Sequence, residues 1–424
     1  MLVFSLLSNG AVAKDGPRHH QRALERDRIT ALPGQPLGKV DKNFGRALFY
    51  WLIEAPITSS PHTKPLVLWL NGGPGCSYIA YGSSEEVGPF RVSPDGKTLM
   101  LSQFAWSKEA NLLFLDSPAG VGFCYSNTST HAEEVRFPQY KHRPFYLAGE
   151  SYAGHFIPQL SLLITRGNKR IKYPIINFKG FLLGNPLLDD YLDNLGSFEY
   201  WYNHGLISES SYKACLNQSF LFPKGKCNDA LFKAYWEFGV INPYDIYGSV
   251  CADLGTFFHS LTKPLPYRFR GNDECAVSYT KMYTNRPDVQ KALHANITGS
   301  LPHPWTTCSD AVRSSLADSP RSMLPIIKEL ITSGVQIWVF SVDTDAVLPL
   351  TATSTPSMPS SSRLLQNGTL GMTIKKFNGS CNVLCGSNLV GGWTQVYEGP
   401  TYVTVRGAGH EVPLTCPRLA LVLF

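Results

Sequence analysis

The sequence predicts an α/β fold with a mostly parallel central sheet. Three features predict it: short apolar runs of strand length, polar or glycine-rich turns directly after them, and helical patterns between successive runs. The runs are Leu66–Leu70, Asn111–Leu115, 144–148 and 335–340. Regular structure is expected to begin near Arg46-Ala47-Leu48-Phe49-Tyr50-Trp51, because residues 14–36 are charged and then rich in proline and glycine.

With 424 residues the chain can build one large domain or two modest ones. Hydrophobic residues make up 43% and charged residues 17%, a balance that excludes a disordered polyelectrolyte. The net charge of +6 is spread without a basic run, so no nucleic-acid footprint is expected. No stretch reaches the roughly 18–20 apolar residues of a membrane span. Residues 1–13, an apolar run from Leu2 to Leu7 followed by Ala11-Val12-Ala13, fit a clipped secretory signal and a disordered start equally. Ten cysteines, together with N-x-S/T sequons at Asn127, Asn217, Asn296, Asn367 and Asn378, point to an oxidising, glycosylating compartment. The expected location is therefore the secretory pathway, ending outside the cell or in a vacuole.

Segments 14–189 and 311–424 are expected to form the two parts of the core. Between them, 190–310 is richer in aromatics, cysteines and helical patterns such as 208–215 and 288–295, and reads as an inserted cap. Within it, 252–274 mixes glycine, proline and basic residues and reads as an exposed linker.

The sharpest chemical signal is Tyr146-Leu147-Ala148-Gly149-Glu150-Ser151-Tyr152-Ala153-Gly154, an apolar strand entering small residues and then a helical segment. Such a turn projects a serine hydroxyl when its neighbours are small; Gly149 fits, and Ala153 stands where G-x-S-x-G has its second glycine. Trp69-Leu70-Asn71-Gly72-Gly73-Pro74-Gly75-Cys76-Ser77 ends another strand in a glycine-rich loop whose backbone N–H groups can approach an oxyanion. No G-K-[ST] follows, which disfavours a nucleotide loop. Phe340-Ser341-Val342-Asp343-Thr344-Asp345 and Val405-Arg406-Gly407-Ala408-Gly409-His410-Glu411-Val412-Pro413 complete the set. A serine hydroxyl needs an imidazole to take its proton and a carboxylate to fix the imidazole tautomer. The order Ser, Asp, His is that of α/β-hydrolases.

Together these four motifs resemble the serine carboxypeptidase family, particularly its plant carboxypeptidase-II type. Further likeness lies in 32–37, 116–123, 137–140, 184–188, 285–295 and 305–310. The resemblance implies an α/β-hydrolase fold with a helical, disulfide-tied insertion. It implies Ser151 as nucleophile, His410 as general base and then acid, Asp345 as the orienting carboxylate, and backbone N–H groups of Gly73 and Tyr152 as oxyanion donors. The substrate's terminal carboxylate maps onto Asn71, Gly72, Glu86 and Glu150, and Glu411 onto the pocket for the leaving residue. Only Glu86, not Glu85, has the family spacing to Gly88-Pro89, and on position alone both glutamates also read as a solvated acidic pair. Tyr81 fits a side-chain pocket and a core position equally.

A carboxylate beside two ionised glutamates is repelled unless the cluster shares a proton, so binding is expected to favour acidic pH. The implied disulfides are Cys76–Cys308, Cys215–Cys227 and Cys251–Cys275; Cys124, Cys381, Cys385 and Cys416 have no family partner. Cys381-x3-Cys385 lacks a second ligand pair, so no metal is expected, and no cofactor is implied. The expected partners are peptide or protein carboxyl termini, with a homodimer open.

The likeness breaks in places. A first strand after Leu37 and a helical crossover between Thr130 and Phe137 are missing, 354–390 turns serine-rich and atypical, Val342 replaces a glycine, and the chain stops before an expected last helix. These losses imply a form impaired in folding or activity. Two other functions stay open: a carboxypeptidase-like acyltransferase drawing on sugar esters, and a non-catalytic binding protein.

Overall fold

A computed structural model describes residues 49–118, 120–124, 140, 142–170, 176–216, 226–251, 274–295, 304–316, 319–353, 375–378, 390–397 and 399–424. The expected signal 1–13, the lead-in 14–36, the missing segments after Leu37 and at 130–137, most of 354–390 and the linker at 252–273 lie outside the described residues. So do Asn127, Asn217, Asn296 and Asn367 and the side chains of Cys215, Cys227, Cys381 and Cys385.

The strands are β1 (Tyr50–Ile53), β2 (Leu66–Leu70), β3 (Phe90–Val92), β4 (Leu99–Leu101), β5 (Asn111–Leu115), β6 (Phe145–Glu150), β7 (Phe178–Gly184), β8 (Gln336–Val342), β9 (Lys375–Asn378), β10 (Val390–Val396) and β11 (Pro400–Val405). The helices are α1 (Ala153–Lys169), α2 (Asp190–Asn203), α3 (Glu209–Leu216), α4 (Lys226–Phe238), α5 (Ala276–Thr284), α6 (Pro287–Ala292), α7 (Asp310–Ser315), α8 (Leu324–Thr332), α9 (Val412–Thr415) and α10 (Pro417–Leu423). The chain folds into two compact units and passes between them at Ala148/Gly149, Leu162/Leu163, Lys179/Gly180, Cys275/Ala276 and Ala317/Asp318.

In the first unit β5 lies between β1, antiparallel to it, and β2, parallel to it. Every residue of β2 and β5 is buried, as expected of strands covered on both faces. Both have the bounds predicted from their apolar runs. Trp69 of β2 meets Trp106 edge-on at 5.2 Å, and burying each such side chain contributes about 1.5–3 kcal/mol. Helix α6 starts with Pro287 at its first turn and Asp288 beside the N-terminal dipole. It ends earlier than the 288–295 pattern suggests, because His294 turns into the left-handed region at φ 54°.

In the second unit β7, β8 and β11 run parallel, and β10 and β9 continue the order as antiparallel neighbours. Val342 is buried at the end of β8 opposite Val405 of β11. Helix α2 is capped by Asp189, whose carboxylate accepts from the N–H groups of Tyr191 and Leu192. Its apolar face packs Phe198, Tyr200 and Trp201 with Ile207, Ala234 and Ala346, and Trp201 Nε1 donates to Ala346 O at 2.7 Å. That cluster braces the loop that carries Asp345. No helix among the described residues is long and apolar enough to cross a membrane.

One glycine decides how closely α1 approaches the loop after β7. A Cβ on Gly154 would lie 2.4 Å from Leu187 O and 2.8 Å from Pro186 Cβ. Gly154→Ala is therefore expected to destabilise the protein by about 1–3 kcal/mol, the cost of overpacking, seen as a lower Tm in thermal denaturation.

Candidate active site

Strand β6 delivers Ser151. The serine takes φ 62°, in the left-handed region, and α1 begins two residues later at Ala153. Such a conformation in a non-glycine residue costs about 1–3 kcal/mol unless the surroundings fix it. Here they do: Ser151 N donates to Gly184 O at 3.0 Å, and Ser151 O accepts from Gly154 N at 2.9 Å and Leu187 N at 3.0 Å. Ala153 is fully buried, so the position of the motif's second glycine accepts only a small side chain. The sharp strand-to-helix bend expected from the sequence is present.

Tyr152, the candidate oxyanion donor, is held from two sides. Its ring stacks on His155 at 4.7 Å, and its hydroxyl bonds Ser319. His155 is anchored in turn, with Nδ1 3.0 Å from Leu187 O and Nε2 2.8 Å from Pro320 O.

Parallel pairing of β8 with β11 sets Val342 opposite Val405, so the loops after both strands leave side by side. Asp345 stands on one and His410 on the other. Gly407 N donates to Asp343 Oδ1 at 2.6 Å and Thr344 Oγ1 to Ala408 O at 2.7 Å, stitching the loops together. His410 Nδ1 lies 2.6 Å from Asp345 Oδ2, and both side chains are buried. An ionised carboxylate only accepts, so Nδ1 carries the proton and Nε2 is left as a base. Asp345 Oδ1 accepts from Val347 N at 2.7 Å. The imidazole's backbone is fixed by His410 N donating to Tyr244 O at 2.7 Å, and the Tyr244 ring sits 4.9 Å from it.

Next to Ser151 and His410 in the chain stand two glutamates, Glu150 and Glu411, whose carboxylate oxygens lie within 4.8 Å of each other. Burial pushes Glu411 up to about 7; His410 pulls it down and Asp345 pushes it further up.

In the first unit the loop after β2 is built around Asn71. Its Oδ1 accepts from Trp69 Nε1 at 2.9 Å and Gly82 N at 3.0 Å, and its Nδ2 donates to Glu86 Oε1 at 2.8 Å. Gly72 is buried and Gly73 exposed, with φ 111° at Gly73, a backbone state that suits glycine. The following turn hangs on Asp116, whose Oδ1 accepts from Ser77 Oγ at 2.9 Å and Tyr78 N at 2.8 Å. Burial pushes the Asp116 carboxyl up to about 7 against the pull of those hydrogen bonds.

A π-helix, Ile79–Glu86, carries the two neighbouring glutamates. The reading of Glu85 and Glu86 as a solvated pair is corrected: each is 1% exposed. It is Glu86 that Asn71 holds. Close by, burial lowers the Arg91 guanidinium to about 10 while Glu85 and Glu86 hold it up. Tyr81 is half-buried beside Cys308 Sγ, at 3.6 Å.

Cys76–Cys308 and Cys251–Cys275 are bonded. The expectation that Cys416 lacks a partner is also corrected, since it is disulfide-bonded. Cys124 is a buried thiol that donates to Asp116 O at 2.9 Å.

Three residues around this site escaped the reading of the sequence: His155, Tyr244 and above all Asn185. Asn185 Nδ2 donates to Asp345 Oδ2 at 3.0 Å and to His410 O at 3.2 Å. The signal for it was present, an Asn-Pro pair directly after the apolar run that forms β7.

A serine carboxypeptidase family model matches residues 37–424. Serine carboxypeptidase-like 28 from Arabidopsis thaliana is 53% identical, covering 94% of this chain and 90% of that protein. Serine carboxypeptidase-like 27 from the same plant is 49% identical, covering 100% and 96%. Among solved structures, a prohormone-processing carboxypeptidase from Saccharomyces cerevisiae superposes with a TM-score of 0.68, covering 88% of this chain and 85% of that one. At 20% identity that likeness bears on the fold alone. By sequence and by architecture together, the chain belongs to the serine carboxypeptidase family of serine-type hydrolases with an α/β-hydrolase fold.

Proposed function

We propose that the protein releases amino acids one at a time from the carboxyl termini of peptides and proteins, through an acyl-enzyme on Ser151 and with a preference for acidic pH. The observation that carries the reading is the buried Asp345–His410 pair on loops stitched to each other, with Ser151 at a strained bend of the same unit. In this reading His410 Nε2 takes the Ser151 proton as Oγ attacks the scissile carbonyl. Backbone N–H groups of Tyr152 and Gly73 receive the negative oxygen. The C–N bond breaks as His410 passes the proton to the leaving amino acid, and water, activated by the same imidazole, hydrolyses the ester.

What separates an exopeptidase from other serine hydrolases is a site for the free carboxylate. Family likeness assigns that to Asn71, Gly72, Glu86 and Glu150, with Glu411 beside the leaving residue. The Glu150–Glu411 proximity supports it, because two carboxyls within 4.8 Å hold a proton that a third carboxylate can share.

The raised Glu411 gives the sign of the pH dependence. Below its ordinary value of 4.5 the group is protonated in folded and unfolded chains alike and costs nothing. Between there and about 7 the folded protein keeps a proton that the unfolded chain releases, so this contribution to stability falls as pH rises through that window. Binding of a free carboxylate weakens as the folded group gives up that proton, around pH 7. Steady-state kinetics should show kcat/KM for a free-acid peptide falling as pH passes about 7, with a shallower fall for the amidated peptide. Glu411→Gln should flatten the difference, and equal profiles for both peptides count against the assignment.

The disulfides Cys76–Cys308 and Cys251–Cys275 and the bonded Cys416 support a location in an oxidising compartment, the secretory pathway with delivery outside the cell or to a vacuole.

A further inference from the structure

Asn185 occupies an expensive position. It is fully buried and adopts φ 37°, a region that asparagine tolerates better than most residues but that still strains the backbone. Its backbone N donates to Phe340 O at 2.9 Å, which fixes the residue against the end of β8. Its side-chain amide then makes two bonds, to Asp345 Oδ2 at 3.0 Å and to His410 O at 3.2 Å. Both partners are pure acceptors, so the amide has one usable orientation; flipped, its oxygen would face a carboxylate and a carbonyl. In that orientation Oδ1 is buried with no hydrogen-bond partner among the described residues. A buried unpaired amide oxygen costs about 1–3 kcal/mol. The position thus keeps a strained backbone and an unsatisfied acceptor in order to point one N–H₂ group at the Asp345–His410 pair.

We infer that Asn185 is a positioning residue that sets the proton affinity of His410 by competing with it for Asp345 Oδ2. The inference rests on the reading of Ser151, His410 and Asp345 as a triad and extends it. Asp345 Oδ2 receives two donors, His410 Nδ1 and Asn185 Nδ2. The amide bond spreads part of the carboxylate's charge away from the imidazole, so the imidazolium is held less tightly and the neutral base persists to lower pH. For an enzyme working in acid that is the useful direction. The second bond, to His410 O, ties the amide to the histidine's own backbone, so ring and carboxylate are aligned by the same group. Among the described residues, the other titratable groups that interact with the pair are Glu411 beside it in the chain, Tyr200 from α2 and Tyr244 against the His410 ring, while Asp343, Asp245 and Tyr247 act on Tyr200. None of them donates to Asp345 Oδ2 among the hydrogen bonds described, so Asn185 alone fills this role there.

The test is the pH dependence of Ser151 labelling by a fluorophosphonate, which needs the neutral imidazole whatever the natural substrate is. Wild-type protein, Asn185→Gly and Asn185→Asp are compared. Glycine suits the backbone angle but lacks the donor, and aspartate keeps the shape while adding a negative charge. The acid limb should move to higher pH in the order wild type, Asn185→Gly, Asn185→Asp, by roughly one unit for the first step. Peptide kcat should fall about tenfold or more at acidic pH, with KM changed less than twofold.

Slower labelling with an unmoved limb, or the same limb in both variants, means that Asn185 only packs, and overturns the inference. If neither variant folds, the wild-type protein decides: the Asn185 side-chain amide resonance should shift as His410 titrates, and a resonance that stays still overturns the inference. A wild-type protein that fluorophosphonate does not label refutes the triad itself. A labelled protein that leaves peptides intact refutes the proposed substrate and not the role of Asn185.

Discussion

Ser151→Ala should abolish peptide hydrolysis, lowering kcat by roughly 10⁶-fold as loss of a triad nucleophile does elsewhere, while the protein stays folded. The expectation comes from the local geometry. The left-handed bend at Ser151 is fixed by backbone bonds to Gly184, Gly154 and Leu187, none of which uses the hydroxyl. Removing Oγ therefore takes away the proposed nucleophile and leaves the elbow. Serine already carries the left-handed strain, which comes from its Cβ, and alanine has the same Cβ, so the substitution adds little backbone cost. Stopped assays with a blocked dipeptide measure the activity, and a thermal scan checks that the fold remains.

Asp345→Asn should cost about 10⁴-fold in kcat with little change in KM. The carboxylate accepts from three donors, His410 Nδ1, Asn185 Nδ2 and Val347 N. An asparagine amide offers one oxygen where the aspartate offered two. If its NH₂ faces His410, the imidazole is driven to the wrong tautomer, with its proton on Nε2, and cannot take the serine's proton. If its oxygen faces His410, the NH₂ is set against Val347 N, donor against donor. Either arrangement damages the site without emptying it, since the replacement has the same volume. A loss of kcat at near-constant KM separates this from a failure to bind substrate.

Much of this was legible in the sequence because the central strands are buried on both faces. A fully covered strand such as Leu66–Leu70 or Asn111–Leu115 must be apolar throughout, and its end is marked sharply by the first polar or glycine residue. The proposed catalytic groups sit directly past such ends, so strand ends and motifs reinforced one another at Ser151, Asp345 and His410. The positioning residues were harder to read. Asn185 bonds to Asp345 across 160 residues and to His410 across 225, distances at which a single sequence carries no register. Tyr244 supports His410 through its carbonyl oxygen, which every residue type has. Burial of Glu85 and Glu86 was hidden for a related reason: charged residues usually read as surface, and only the π-helix that turns them inward shows otherwise. The end of α6 was misjudged because the left-handed turn falls on His294, a residue with no strong preference for it.

Digestion of a free-acid peptide and its amidated twin at acidic pH, followed over time by mass spectrometry, tests the central claim most directly. The account predicts a ladder of products shortened one residue at a time from the carboxyl end of the free-acid peptide, absent with Ser151→Ala and slower with the amide. Intact peptide in the presence of soluble, folded protein, or cleavage at internal bonds, would contradict it.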